Sequence, residues 1–316
     1  MIAIVIPYFK HSFFEANLQS LANQTDKRFK VYIGDDASKE PPIDLLKKYK
    51  GQFDFVYHRF EKNLGGKSLI KQWERCVSLT HTEEWLMVLG DDDLLGKNVV
   101  KEFYSLIETK KKEEIDLIRF RVRTVDENNI IHNNDFLFEE HETAHKLLDR
   151  MFSIKETITA SEFIFSREIY NRNNGFVEFP LGWFSDYASW LLFASKTGIF
   201  NIQTESVYWR ISGINISSKS TDFKTIRLKV KSLFMFMFFL QNHFVIDKMK
   251  QKAYVFNHLI TLLRGVNILA INTILIGQLL ENKFHFLNQF IIQFIFKKNK
   301  EKAKRVYGYI CSARKG

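Results

Sequence analysis

Three consecutive aspartates close an apolar run, Trp85-Leu86-Met87-Val88-Leu89-Gly90-Asp91-Asp92-Asp93. Adjacent like charges repel, and a fold has no use for them unless a cation compensates. Carboxylate oxygens suit Mg²⁺ or Mn²⁺, which reach phosphates through one or two such ligands. A second acidic pair, Asp35-Asp36, ends the apolar run Phe29-Lys30-Val31-Tyr32-Ile33-Gly34. A third carboxylate, Asp186 in Gly182-Trp183-Phe184-Ser185-Asp186-Tyr187, stands at the head of a helical pattern. Aspartates also serve as turn residues and helix caps, so each position has a structural reading beside the chemical one.

The elements that must carry these residues follow from periodicity. Ile2-Ala3-Ile4-Val5-Ile6 is a continuous β-branched run, as expected of a strand buried on both faces. Phe14, Leu18, Leu21 and Ala22 have helical spacing over 12–25. Residues 42–50 read as a helix, 53–57 as a strand and 67–79 as a helix after the turn Asn63-Leu64-Gly65-Gly66. Alternation of strands and helices implies βαβ units and a mostly parallel sheet, so the fold class is α/β. Strands of such a sheet bring their carboxyl ends to one edge, where open α/β folds bind ligands; Asp36 and Asp91–Asp93 should gather there. Further on, Ile115 to Val122 alternates as a strand with one exposed face, and 126–135 reads as a polar loop. Residues 141–152 and 185–197 read as helices, and 206–210 as a strand. Beyond 219 the pattern is helical throughout, with a boundary in Ser212–Thr221, where Gly and Ser cluster.

Length and composition fit a folded protein of one large domain or two ordinary ones: 316 residues, 46% hydrophobic and 26% charged. Two cysteines, Cys76 and Cys311, form no disulfide framework and point to a reducing compartment. The first residues lack a basic leader and read as a strand rather than a signal peptide. No run approaches the roughly 20 apolar residues of a spanning helix. The net charge of +10 is unevenly spread. Residues 1–218 hold 28 Lys and Arg against 32 Asp and Glu, and residues 219–316 hold 18 against 4. The basic part calls for an anionic partner, nucleic acid or a membrane surface.

Taken in order, the motifs are Ile6-Pro7-Tyr8-Phe9, Leu21-Ala22-Asn23-Gln24-Thr25, Ile33-Gly34-Asp35-Asp36-Ala37-Ser38 and Leu89-Gly90-Asp91-Asp92-Asp93. This set resembles the family 2 glycosyltransferases, which have the nucleotide-sugar-binding GT-A fold. The resemblance is firm over about 90 residues, extends more weakly to about 218, and does not cover the last hundred. It implies a GT-A-type domain over 1–218 followed by a helical, basic region over 219–316. It also implies that Pro7, Tyr8 and Phe9 line the base pocket of the donor nucleotide. Phe9 stands where the family usually has Tyr, and Lys10 replaces an Asn. Asp36 resembles the residue that hydrogen-bonds uracil. The triplet aligns two ways: as Asp91-x-Asp93, or with Gly90 replacing the first acid and Asp92-Asp93 as the functional pair. Both make Asp93 the foremost Mn²⁺ or Mg²⁺ ligand, with Asp92 and Asp91 beside it and near the donor. Lys67 could face a phosphate, although a solvated lysine on a helix is the commoner use of such a residue. Asp186 matches the base of inverting members, with Ser185 in the position of a Glu. Tyr208-Trp209-Arg210-Ile211-Ser212 resembles a Tyr-Arg-x-His element. Arg210 could therefore pair with a phosphate, and Ser212 replaces a His that can be a third ligand.

These features imply an inverting, metal-dependent glycosyltransferase. It would use a nucleotide-diphosphate sugar, expected to be UDP-linked, and a saccharide or lipid-linked acceptor of surface polysaccharide synthesis. A sugar-phosphate nucleotidyltransferase should carry a Gly-rich basic loop after the first strand, which Pro7-Tyr8-Phe9-Lys10-His11 is not. A nucleic-acid module should interleave aromatic and basic residues. The C-terminal aromatics Phe234, Phe236, Phe238 and Phe239 instead fall on apolar helix faces, so no nucleic acid is expected. The basic region is then expected either to lie on an anionic membrane, which would place the protein in the cytoplasm at the membrane face, or to pack on the catalytic core with its lysines solvated.

Overall fold

The computed structural model describes residues 1–110, 115–132, 138–153, 158–212 and 222–281, together with 292, 294, 295 and 298–300. The chain divides into two compact units, Met1–Ser218 and Lys219–Gly316.

In the first unit a ten-stranded sheet carries the site. Its first half is parallel: β1 (Ile2–Tyr8) lies between β2 (Phe29–Asp35) and β4 (Trp85–Val88), and β3 (Asp54–Arg59) lies outside β2. Strands β1 and β4 are apolar along almost their whole length because both of their faces are covered. Strand β3 sits at the edge, with half-buried Phe55, Val56 and Tyr57 between exposed residues. Helix α1 (Phe14–Ala22) buries Phe14, Leu18 and Leu21 on the core. Helices α2 (Ile43–Tyr49), α3 (Leu69–Val77) and α4 (Val99–Thr109) follow, and the Ser68 hydroxyl caps α3 by accepting from Lys71 N–H.

The second half of the sheet is mixed. Beyond β4 the order runs β9 (Phe163–Ser166), β6 (Leu117–Asp126), β10 (Ile199–Ile211) and the short β5 (Leu94–Leu95). Strand β9 is antiparallel to both β4 and β6, whereas β6 and β10 are parallel with a register shift between Ile202 and Ser206. The two-residue strands β7 (Ile131–His132) and β8 (His141–Glu142) pair with β6 and β10. Helices α5 (Ala144–Ser153), α6 (Arg167–Arg172) and α7 (Ser185–Thr197) complete the unit.

Several features depart from the sequence reading. Helices α4 and α6 and strand β9 escape it, and β10 begins seven residues earlier than expected. Strand β6 has no exposed face: Arg119 is 1% exposed, and Arg121 and Arg123 are only half-exposed. Alternation of charge there reflects a second covered face with polar content. Of the 126–135 loop, 133–135 lie outside the described residues.

The second unit contains α8 (Phe223–His243), α9 (Lys248–Leu262) and α10 (Ile268–Glu281). Asp222 and Asp247 cap the first two, each accepting from two backbone N–H groups. Leu233, Phe234, Phe236, Met237 and Leu240 of α8 are fully buried. Among the described residues no helix is long and apolar enough to cross a membrane.

Candidate active site

The parallel register Ile2↔Trp85 to Val5↔Val88 makes β1 and β4 end side by side. The chain leaving β1 therefore lies against the aspartates that follow β4. Backbone N–H groups of Phe9 and Lys10 donate to Asp91 Oδ2 at 2.7 and 2.6 Å. The Lys10 ammonium reaches Asp92 Oδ2 at 2.6 Å and Asp91 Oδ1 at 3.9 Å. On the other side Asp93 accepts from the Ser161 hydroxyl at 2.5 Å and from Arg210 N–H at 3.0 Å. The Asn17 amide on α1 donates to the carbonyls of Gly90 and Asp93 at 2.9 and 2.8 Å. A Cβ on Gly90 would stand 2.7 Å from Asp93 Oδ2, so only glycine lets the turn fold this tightly. Lys10, Asn17 and Ser161 are site residues that the motif comparison does not mark; Lys10 and Asn17 follow from position once β1 and β4 are paired.

All three aspartates are buried. Burial, together with Asp92, pushes the Asp91 carboxyl up to about 6 against the opposing pull of Lys10. Burial and the Asp92 carboxylate push Asp93 up as well. For Lys10, burial works against the ammonium, but Asp91 and Asp92 outweigh it and hold the group above its ordinary value. The cluster is thus short of positive charge even with Lys10 in place. That deficit and the all-oxygen donor set fit a hard divalent cation held by one or two carboxylates, with water and phosphate as further ligands. They do not fit an all-protein cage: among the described residues no three Asp, Glu, His or Cys side chains converge.

The structure corrects several expectations for the donor side. The Tyr8 ring is fully buried, packs on Phe14 at 4.6 Å and donates its hydroxyl to Glu40 O at 2.6 Å. It supports the sheet edge from beneath and offers no face to a base. Pro7 is half-buried beside Gly34, and Phe9, 48% exposed, is the open ring of the three. Asp36 is spent within the fold: it accepts from Asn63 Nδ2 at 2.9 Å, Leu64 N–H at 2.6 Å, Gly65 N–H at 2.8 Å and the Arg75 guanidinium. These bonds tie the 63–66 turn to the sheet edge. Asp35 likewise accepts from Ser38 N–H, Tyr57 and Arg59. Lys67 is exposed. Arg210 donates to the carbonyls of Asp92 and Asp126 and to Asn129 Oδ1, with its guanidinium 4.3 Å over the Phe13 ring. It holds the aspartate turn in shape, which a phosphate contact would disturb.

Asp186 lies in the first turn of α7. The backbone before it is forced into left-handed conformations at Leu181 (φ 61°), Gly182 (φ 67°) and Phe184 (φ 68°), each non-glycine case costing about 1–3 kcal/mol. Ser185 is buried and accepts from Phe179 N–H at 2.9 Å, so the residue in the Glu position is structural. Asp186 accepts its neighbour's N–H, Tyr187 at 2.9 Å, and the cap residue Phe184 supplies no side-chain bond. The carboxyl keeps a partly open surface, yet its surroundings push it up to about 7 by burial. One turn on, Trp190 stacks on Phe163 at 4.6 Å and donates to Thr159 O at 3.3 Å. The segment 159–163 therefore seats α7 while its Ser161 holds Asp93.

Comparison with known proteins agrees with this geometry. The model of the glycosyl transferase family 2 matches residues 3–173. No curated protein matches the chain in sequence. Residues 1–349 of S. aureus TarS in complex with UDP-GlcNAc superpose with a TM-score of 0.56 at 17% identity, over 93% of this chain and 89% of that one. The same fragment with UDP gives 0.54 at 16%, over 93% and 88%. GalNAc-T7 with UDP, GalNAc and Mn²⁺ gives 0.56 at 13%, over 87% of this chain and 53% of that one. At these identities the likeness speaks for the fold.

Proposed function

Because the chain belongs to glycosyltransferase family 2, we propose that it transfers a sugar, with inversion, from a UDP-linked donor to a saccharide or lipid-linked acceptor of surface polysaccharide synthesis. The observation that carries this reading is the common seat of the two acidic elements. Segment 159–163 binds Asp93 through Ser161 and docks the helix of Asp186 through Thr159 and Phe163. UDP in the TarS and GalNAc-T7 structures supports the donor class, and Mn²⁺ in the latter supports a metal.

The parts divide the work as follows. Asp93 and Asp92, with Asp91 beside them, would hold Mg²⁺ or Mn²⁺, whose charge stabilises a departing nucleoside diphosphate. Lys10 adds a fixed ammonium against the same carboxylates. Arg210, Asn17 and Ser161 keep the aspartate turn from relaxing, so no reorganisation is needed as charge develops. Phe9 offers an apolar face to a base. Asp186 takes the proton of the acceptor hydroxyl as it attacks the anomeric carbon from the side opposite the leaving group. A carboxyl held at about 7 is a stronger base than an ordinary aspartate and is still partly ionised at neutral pH. A screen of nucleotide-sugar donors for nucleoside diphosphate release, with and without Mn²⁺, tests the reading. Release from no donor would reject it, and undiminished release in EDTA would reject the metal.

A further inference from the structure

Strand β6 carries Arg119, Arg121 and Arg123 at alternate positions, and alternate residues of a strand share a face. That face is the one on which α7 packs: Arg119 is registered with Phe163, and Phe163 stacks on Trp190 of α7. The three guanidinium groups differ in their partners. Arg119 is paired with Glu162, at 3.0 Å from Nε and 2.9 Å from a terminal nitrogen. The side chains of Arg121 and Arg123 are half-buried and have no hydrogen bond, ion pair or ring contact among the described residues, and the Nε of each is shut off from water without a partner. A guanidinium kept for solubility would keep Nε wet, and one kept for structure would have a carboxylate such as Glu162 beside it. Two that have neither keep their donors available to an anion.

Their place in the fold says which anion. Arg121 is registered with Ser206 and Arg123 with Tyr208 of β10; two positions on, Val125 is registered with Arg210, whose N–H holds Asp93. At roughly 3.3 Å per strand residue, Arg123 lies about 7 Å along the strand from that anchor. The pair thus lies between Arg119, on the face that α7 covers, and the strand position that anchors Asp93, while Lys10 and the aspartates occupy the β1–β4 side. The site's own carboxylates, Asp91, Asp92, Asp93 and Asp186, would repel a negatively charged acceptor unless fixed cations offset them.

We propose that Arg121 and Arg123 form an oxyanion subsite that binds a phosphate or carboxylate of the acceptor, so that the acceptor is an anionic glycan or glycolipid. The planar, five-donor fork of arginine suits two oxygens of one such group. This inference rests on the glycosyltransferase reading only for the word acceptor; the subsite itself is tested by binding. Calorimetric titrations of the full chain with glycerol 3-phosphate, glucuronate and UDP separate the sources. The parent should bind glycerol 3-phosphate or glucuronate, and whichever binds identifies the group. Arg121→Gln and Arg123→Gln should each weaken that binding about tenfold or more, as for a lost charged hydrogen bond, while UDP affinity stays within about twofold. Arg123→Lys, which keeps charge but not the fork, should fall between. Because the guanidiniums have no partner to leave behind, the Gln variants should melt no lower than the parent in anion-free buffer. Absence of binding by both anions, or unchanged binding in the variants, overturns the subsite. An equal loss of UDP affinity assigns the arginines to the donor and overturns the acceptor role. Anion binding without any glycosyl transfer would leave the subsite standing and reject the enzyme.

Discussion

Each acidic residue of the site has a separable role, and the variants that test them differ. Asp93→Ala removes the carboxylate that would hold the metal; losses of about 10²–10³-fold in kcat are typical of one electrostatic contributor. Asp92→Ala should be similar or milder, and Asp92 also loses its contact with Lys10. Full turnover of the Asp93 variant would reject its role. Asp186→Asn keeps size and the bond from Tyr187 N–H but cannot accept a proton. Transfer should collapse with donor affinity near that of the parent; lost nucleotide binding with normal turnover at saturating donor would move Asp186 to the donor side. Its raised value sets the pH dependence. The base is active only when ionised, so kcat should rise with pH through about 7 and then level, and that limb should vanish in the Asn variant. Stability runs the opposite way. A carboxyl that holds its proton more tightly folded than unfolded contributes stability that is full below its ordinary value near 3.8 and is lost as pH rises through 7. Asp186→Asn should therefore gain on the parent, in urea midpoint, as pH passes from 4 to 8.

The elements show why some of this was legible in the sequence and some was not. Buried parallel strands announce themselves as apolar runs, so β1, β2 and β4 and the aspartates at their ends could be placed from the sequence alone. Strand β9 has an apolar run of only three residues, Phe163-Ile164-Phe165; it is antiparallel, and Ser161, Glu162 and Ser166 beside that run bond to Asp93, Arg119 and Asp116, partners distant in sequence. For the same reason Ser161 could not be found, and the arginines of β6 looked solvent-facing until Glu162 and α7 were in place. Motif position found Asp36 but not its role, because the role depends on a turn 28 residues away. That turn makes its own prediction. A Cβ at Gly65 would stand 2.7 Å from Asp36 Oδ2, so Gly65→Ala must push the 63–66 loop off the carboxylate at about 1–3 kcal/mol, the usual range for overpacking. Chemical denaturation reads that loss directly; a variant as stable as the parent would mean that the loop is not anchored by Asp36.

At the scale of the whole molecule, the two units have different charge and, on our reading, different partners. The second unit holds 18 basic against 4 acidic residues, and its most apolar described run, 233–240, is largely consumed by packing, with Phe238 alone 37% exposed. Among the apolar side chains left exposed are two at the start of α9 and just before it: Val245 is 90% exposed and Met249 is 74% exposed, with Lys248 and Lys250 exposed beside Met249. The run 286–296 and the basic cluster 297–305, the other expected membrane elements, lie mostly outside the described residues. Exposed apolar side chains among lysines can enter the headgroup boundary of a bilayer while the ammonium groups stay with anionic lipid. Each basic side chain near such a surface contributes roughly 1 kcal/mol, so several suffice for reversible attachment. We propose that this unit keeps the enzyme at the membrane face, beside a lipid-linked acceptor. In liposome co-sedimentation, binding should require anionic lipid and weaken with salt as the attraction is screened. Val245→Glu with Met249→Glu should reduce it by removing insertion, and neutralising the lysines and arginine of 297–305 should reduce it by removing charge. Neither change alters a residue of the first unit, so donor turnover in solution should stay at the parent level in both variants. Binding to neutral liposomes alone would assign attachment to the apolar tip and reject the electrostatic part, and no binding at low salt would reject the membrane role altogether.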